Sequence, residues 1–137
     1  FTDSYLTTLG KEIRPFSDTK ICDVGGRLHR LNVETVDVAV LVFRPDQPET
    51  YAALEEWNSK LEARHTILVA NMSDLRRPDA VYFKKASELG WDYIETSAKT
   101  GLHVDFLFSK LLNRYPPPPP EGWGQWLGWI AKYLGLQ

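Results

Sequence analysis

The chain has 137 residues, 43% hydrophobic and 25% charged, the proportions of an ordinary soluble globular protein. That length suits one domain whose core needs no disulfide or metal, and the single cysteine, Cys22, leaves no internal disulfide. A net charge of −2 and a pI near 5.9 exclude a nucleic-acid binder held by bulk electrostatics. No signal peptide, no run of about 20 apolar residues and no C-terminal prenylation cysteine is visible, so the expected setting is cytoplasmic.

Residues 1–10 lack a period and read as loop. Lys11 to Phe16 and Asp18 to Asp23 read as two short strands, and Pro15 confines the first to an edge. Asp23-Val-Gly-Gly26 breaks regular structure. Residues 28–35 are ambiguous. Val36 to Phe43 is the strongest strand, apolar except for Asp37. Pro48 to Arg64 reads as a helix, with proline in its first turn and Tyr51, Leu54, Trp57 and Leu61 on one face.

The uninterrupted Ile67, Leu68, Val69 and Ala70 suit a strand covered on both faces, as in a parallel sheet. Asn71 and Asp74 follow at its carboxyl end, where open α/β sheets place ligands, although both residue types also favour plain turns. Pro78 to Leu89 reads as a second helix, with Val81, Tyr82, Ala86 and Leu89 inward and Gly90 as its stop. Trp91 to Glu95 is a short strand. Val104 to Tyr115 is a third helix, with Phe106, Leu107, Leu111 and Leu112 available for packing. This alternation predicts an α/β three-layer sandwich with a mainly parallel sheet.

Residues 116–120 form a proline spacer. Residues 121–137 are expected to form a Trp-rich amphipathic helix holding three of the five tryptophans. The expected organisation is therefore a domain over 1–115, the spacer, and the terminal helix. That helix suits a membrane interface, yet it carries one lysine, so packing on the domain or on a partner is the competing reading.

Four stretches, in this order and spacing, resemble the Ras superfamily of small GTPases, the Rab-like branch most closely. Asn71-Met-Ser-Asp74 resembles the guanine-specificity motif Asn-Lys-x-Asp. Glu95-Thr-Ser-Ala-Lys99 resembles the Ser-Ala-Lys loop with its preceding Glu-Thr. Asp23-Val-Gly-Gly26 resembles the Asp-x-x-Gly that opens the second switch, and Thr7-Thr-Leu-Gly10 the end of the first. The resemblance covers about residues 1–115 and implies binding of GTP or GDP with Mg²⁺.

By that resemblance Asp74 accepts from the guanine N1–H and N2–H₂, and a site so built rejects bases that lack those donors. Asn71 ties the base-binding loops together, with Ser97 among the site residues. The Ala98 N–H meets guanine O6, and the Lys99 stem covers a ring face. Asp23 and Thr8 serve Mg²⁺, and the Gly26 N–H senses the γ-phosphate. Guanine nucleotide and effector or regulator proteins are the implied partners, with no nucleic acid.

The departures are equally specific. No Gly-x-x-x-x-Gly-Lys-Ser/Thr occurs in the chain. The resemblance places that loop, the central strand and the next helix upstream of Phe1, so a piece of a longer protein is expected. A sheet without its central strand exposes long edges. Met72 stands where the family has lysine. Arg27 stands where it has the glutamine that orients the attacking water, so hydrolysis is expected to be slow. The implied function is a GTP/GDP switch in vesicle or membrane traffic. The alternative is a pseudo-GTPase, an interaction module that does not bind nucleotide.

Overall fold

The computed structural model describes residues 11–16, 19–24 and 34–114. The expectations for residues 1–10, 25–33 and 115–137, including the proline spacer and the Trp-rich helix, lie outside the described residues.

Strands β1 (Lys11–Phe16) and β2 (Thr19–Val24) pair antiparallel, with Ile13 opposite Cys22 and Glu12 opposite Asp23. They form a two-stranded sheet of their own. Pro15 is tolerated there because each strand of such a pair keeps an edge where a missing donor costs nothing.

Strand β3 (Glu34–Phe43) opens the second sheet, which has the order β3-β4-β5 and is parallel throughout. Helix α1 (Pro48–Ser59) begins with proline, whose fixed φ suits a first turn. Thr50 ties that turn to the end of β3. Its Oγ1 accepts from the Arg44 N–H at 2.9 Å and donates to the Gln47 carbonyl at 2.7 Å.

The expected helix through Arg64 is too long. It ends at Ser59, and β4 (Leu61–Ala70) starts two residues later. Leu61 continues the helical apolar period, but parallel pairing of Leu61, Glu62 and Ala63 with Glu34, Thr35 and Val36 takes precedence. Tertiary pairing here overrides a local pattern.

Helix α2 (Ala80–Glu88) is capped by Asp79, whose Oδ1 accepts from the Val81 N–H at 3.0 Å. Gly90, at φ 70°, reverses the chain into β5 (Asp92–Glu95). Only part of the expected inward face of α2 holds: Ala86 is buried and Tyr82 partly so, whereas Val81 and Leu89 are exposed. In a helix this short the inward line runs from Tyr82 to Ala86 one turn on, and Leu89 already lies in the cap. Helix α3 (Val104–Arg114) completes the unit.

The sheet sorts its side chains by alternation. Leu41, Phe43, Leu68 and Ala70 pack against Leu54 of α1 and Ala86 of α2. Phe43, Tyr51 and Tyr82 close that layer, with ring centroids 4.6–5.3 Å apart. On the other face Ile67, Val69 and Ile94 meet Leu107 and Leu111 of α3. Phe106 and Leu112, also expected to pack, are exposed. Helices on both faces of a parallel sheet give the three-layer α/β arrangement expected. Strand β4, flanked on both sides, delivers its carboxyl end to the centre of one rim.

Candidate functional site

Two loops leave that rim side by side, one after β4 and one after β5. The chain crosses from Ala70 to Asn71, whose N–H donates to the Phe43 carbonyl at 2.9 Å, so β3 and β4 together fix where the first loop begins. Met72 follows at φ 60°, a left-handed conformation uncommon for a side chain other than glycine. The Leu75 N–H closes the turn on the Met72 carbonyl at 3.0 Å.

The loops are stitched by side chains as well as backbone. The Thr96 carbonyl accepts from both the N–H and the hydroxyl of Ser73, at 3.1 and 2.7 Å. Asn71 Oδ1 accepts from the Thr96 hydroxyl at 3.2 Å and the Ala98 N–H at 3.1 Å. A backbone N–H can only donate, so the amide atom facing Ala98 must be the oxygen. Ser97, fully buried, donates its hydroxyl to Asp74 Oδ1 at 2.6 Å and accepts from the Thr100 N–H at 3.2 Å. No buried side-chain polar atom is left unsatisfied among the described residues.

Behind the second loop, the Ser97 N–H donates to the Leu102 carbonyl at 3.1 Å, and the Gly101 N–H returns to the Ser97 carbonyl at 2.8 Å. His103 Nδ1 lies 2.8 Å from the Glu95 carbonyl, which can only accept, so that nitrogen carries the proton. Tyr93 donates to Glu95 Oε1 at 3.3 Å. Burial, and then the adjacent Glu95 charge, push the Tyr93 phenol well above its ordinary range and keep it a donor.

Asn71, Met72, Asp74, Leu75, Ala98 and Lys99 enclose a cavity of about 180 Å³. Its walls are a carboxylate held from behind, two apolar side chains and a long aliphatic stem. Asp74 keeps Oδ2 without a partner among the described residues. A larger depression, about 370 Å³, lies at the opposite ends of β4 and β5, around Ala63 to Thr66 and Leu89 to Asp92, away from these loops.

The structure thus brings together Asn71, Met72, Asp74, Ala98 and Lys99, with Ser97 directly behind them. Asp23 lies on β2, in the separate sheet. Thr8, Gly26 and Arg27 are outside the described residues. Geometry adds one point to the implied role of Ala98: its N–H is already engaged by Asn71, so an incoming carbonyl oxygen must share it. Sequence reasoning missed Leu75 in the cavity wall, Ser73 as a staple and Thr96 as the second donor to Asn71. Thr96 sits within the Glu95–Lys99 stretch and was open to detection there. Leu75 becomes visible only once the Met72 turn is known.

Residues 18–116, well over half the chain, match the family model described as Ras family. The chain belongs to the Ras family. It therefore carries a small GTPase-like nucleotide-binding domain, in a family that generally binds GTP or GDP with Mg²⁺ as well as effectors and regulators.

The donor set of the cavity fits the base part of such a ligand, an anchored carboxylate facing a slot with apolar walls. It supplies less for the ion. No group of three or more His, Cys, Asp or Glu that could hold a metal occurs among the described residues, and Asp23 is the one expected Mg²⁺ residue within them. No described helix is long and apolar enough to cross a membrane.

Proposed function

We propose that this Ras-family chain binds guanine nucleotide through the slot at the carboxyl ends of β4 and β5, with Asp74 as the base reader. The carrying observation is the 2.6 Å bond from buried Ser97 to Asp74 Oδ1. It fixes the carboxylate before any ligand arrives, and preorganisation of this kind reduces the ordering cost of binding. Oδ1 and Oδ2 then accept from guanine N1–H and N2–H₂. Adenine, which lacks that donor pair, leaves the carboxylate unsatisfied in a partly desolvated slot. The Lys99 stem and Met72 cover the ring faces, and Asn71 holds the second loop in register through Ala98.

The finer assignment is a Rab-like switch in vesicle or membrane traffic, with slow hydrolysis. Arg27 supports the slow chemistry, because a guanidinium carries donors only and cannot accept a hydrogen bond from the attacking water as a glutamine carbonyl does. Thr8 and Asp23 belong to the Mg²⁺ end of this reading and Gly26 to its phosphate end. Residues 121–137, beyond the spacer, would supply either a membrane-interface helix or a cover for the domain. The alternative is a pseudo-GTPase that keeps the fold as an interaction surface. It is supported by Met72 and Arg27, which stand where the family has lysine and glutamine.

Calorimetry of the full chain with guanosine, GDP and adenosine separates the two. The switch reading expects binding of the guanine ligands and at least tenfold weaker binding of adenosine, with Asp74→Ala reducing guanosine affinity by about tenfold or more. A folded chain that ignores all three ligands would make it a pseudo-GTPase.

A further inference from the structure

The base slot contains one side chain, Met72, whose chemistry a mild oxidant can change. Met72 is the only methionine in the chain. It is partly exposed and lines the cavity beside Leu75 and Lys99. Its backbone is held at φ 60° inside a turn closed by the Leu75 N–H, and the next residue is pinned to Thr96 by two hydrogen bonds. Those restraints fix the Met72 backbone at the rim of the slot, and from there the flexible thioether side chain lines the cavity. A thioether is polarisable and favours aromatic rings, and it is also the group most readily converted from apolar to polar by a mild oxidant.

Resting on the guanine-slot reading, in which Met72 covers one face of the ring, we propose that oxidation of Met72 by a peroxide reversibly weakens guanine binding. The sulfur lone pair attacks a peroxide oxygen and the O–O bond breaks. One oxygen is transferred to sulfur, which loses two electrons, and hydrogen peroxide is reduced to water. The resulting sulfoxide is polar and chiral, and it replaces an apolar wall of the slot with an S=O dipole facing the flat of the ring. Methionine sulfoxide reductases reverse the change. The site is selective by position: the chain's other sulfur, Cys22, lies on β2 in the separate sheet and away from the slot.

The test uses the full chain carrying Cys22→Ser and guanosine as the probe, so that phosphate contacts do not enter. Equilibrium dialysis before and after hydrogen peroxide is expected to show about a five- to tenfold loss of affinity, restored by sulfoxide reductase. The unoxidised Cys22→Ser chain is expected to bind as the unsubstituted chain does. With Met72→Leu, guanosine binding becomes indifferent to peroxide. If mass spectrometry finds one added oxygen on Met72 and guanosine affinity is unchanged, the proposal is overturned. It is overturned equally if Met72→Leu loses affinity in peroxide to the same degree. Failure of the slot reading looks different: the untreated, folded chain binds neither guanosine nor GDP, and both readings then fall together.

Discussion

In the three-stranded sheet Ile67, Leu68 and Ala70 are wholly buried, whereas in the two-stranded sheet Ile13, Ile21 and Cys22 face solvent. Both sheets carry candidate site residues, yet only one fixes them from within. Strand β4 is covered by α1 and α2 on one face and by α3 on the other, so the loop at its end starts from a rigid platform. Asn71, Ser97 and Asp74 are then positioned by bonds among themselves. Asp23 lies instead on a hairpin of two strands, an arrangement that buries little and is marginal alone.

The widest separation between the two regions is expected in stability. Leu68 is 0% exposed and Ile13 59%. Leu68→Ala removes three buried carbons at the sheet centre and is expected to cost about 3 kcal/mol, whereas Ile13→Ala costs about 0.5 kcal/mol or less. Urea unfolding of the two variants measures this. Equal losses would mean that the hairpin is packed into the same cooperative unit.

The same contrast explains what was legible in the sequence. Ile67–Ala70 announced the parallel sheet because a strand covered on both faces has no polar alternation to blur it. Val36–Phe43 is apolar too except at Asp37, although Val40 and Val42 are exposed. The cavity was legible at Asn71, Asp74 and the Ser97–Lys99 loop through their resemblance to the family's motifs, and the structure brings those residues together. The helix end at Ser59 was hidden, because Leu61 fits the helical period and only pairing with β3 assigns it to a strand. Val81 and Leu89 misled for a related reason. Apolar identity does not specify direction on a helix of nine residues. The left-handed turn at Met72 had no sequence signal either, since residues that favour positive φ are chiefly glycine and asparagine.

β3 lies at the edge of its sheet, with β4 as its one neighbour among the named strands, and Val42 on it is 50% exposed. Among the described strands, the exposed edge expected from the sequence therefore falls at β3. A long apolar edge of this kind invites pairing with other chains. Val42→Lys is expected to leave the unfolding midpoint nearly unchanged while raising the concentration at which light scattering detects association. An unchanged scattering onset would remove the edge as a liability.

A smaller effect is expected from the stitching of the two loops. Ser97→Ala deletes, at a wholly buried residue, the bond to Asp74 and the acceptor of the Thr100 N–H. The expected cost is about 1–3 kcal/mol in urea unfolding. Guanosine affinity should fall in parallel, because Asp74 then loses the bond that orients it. Loss of stability with full retention of affinity would separate the two roles.

The smallest effect is expected at the same rim but in the open. Arg44 holds Asp46 with hydrogen bonds of 3.1 and 2.7 Å, and those bonds first, then the guanidinium charge, draw the Asp46 carboxyl below its ordinary range. A carboxyl lowered in the folded state stabilises above its unfolded pKa, about 3.9, and loses that contribution as pH falls through the folded value. Asp46→Asn should therefore lower Tm slightly at pH 7, and the difference from the parent chain should shrink below about pH 4. Added salt should shrink it as well, since the pair is open to solvent. If this substitution cost as much as Ser97→Ala, burial would not be what ranks the interactions of this rim, and the contrast between its covered and open parts would have to be drawn on other grounds.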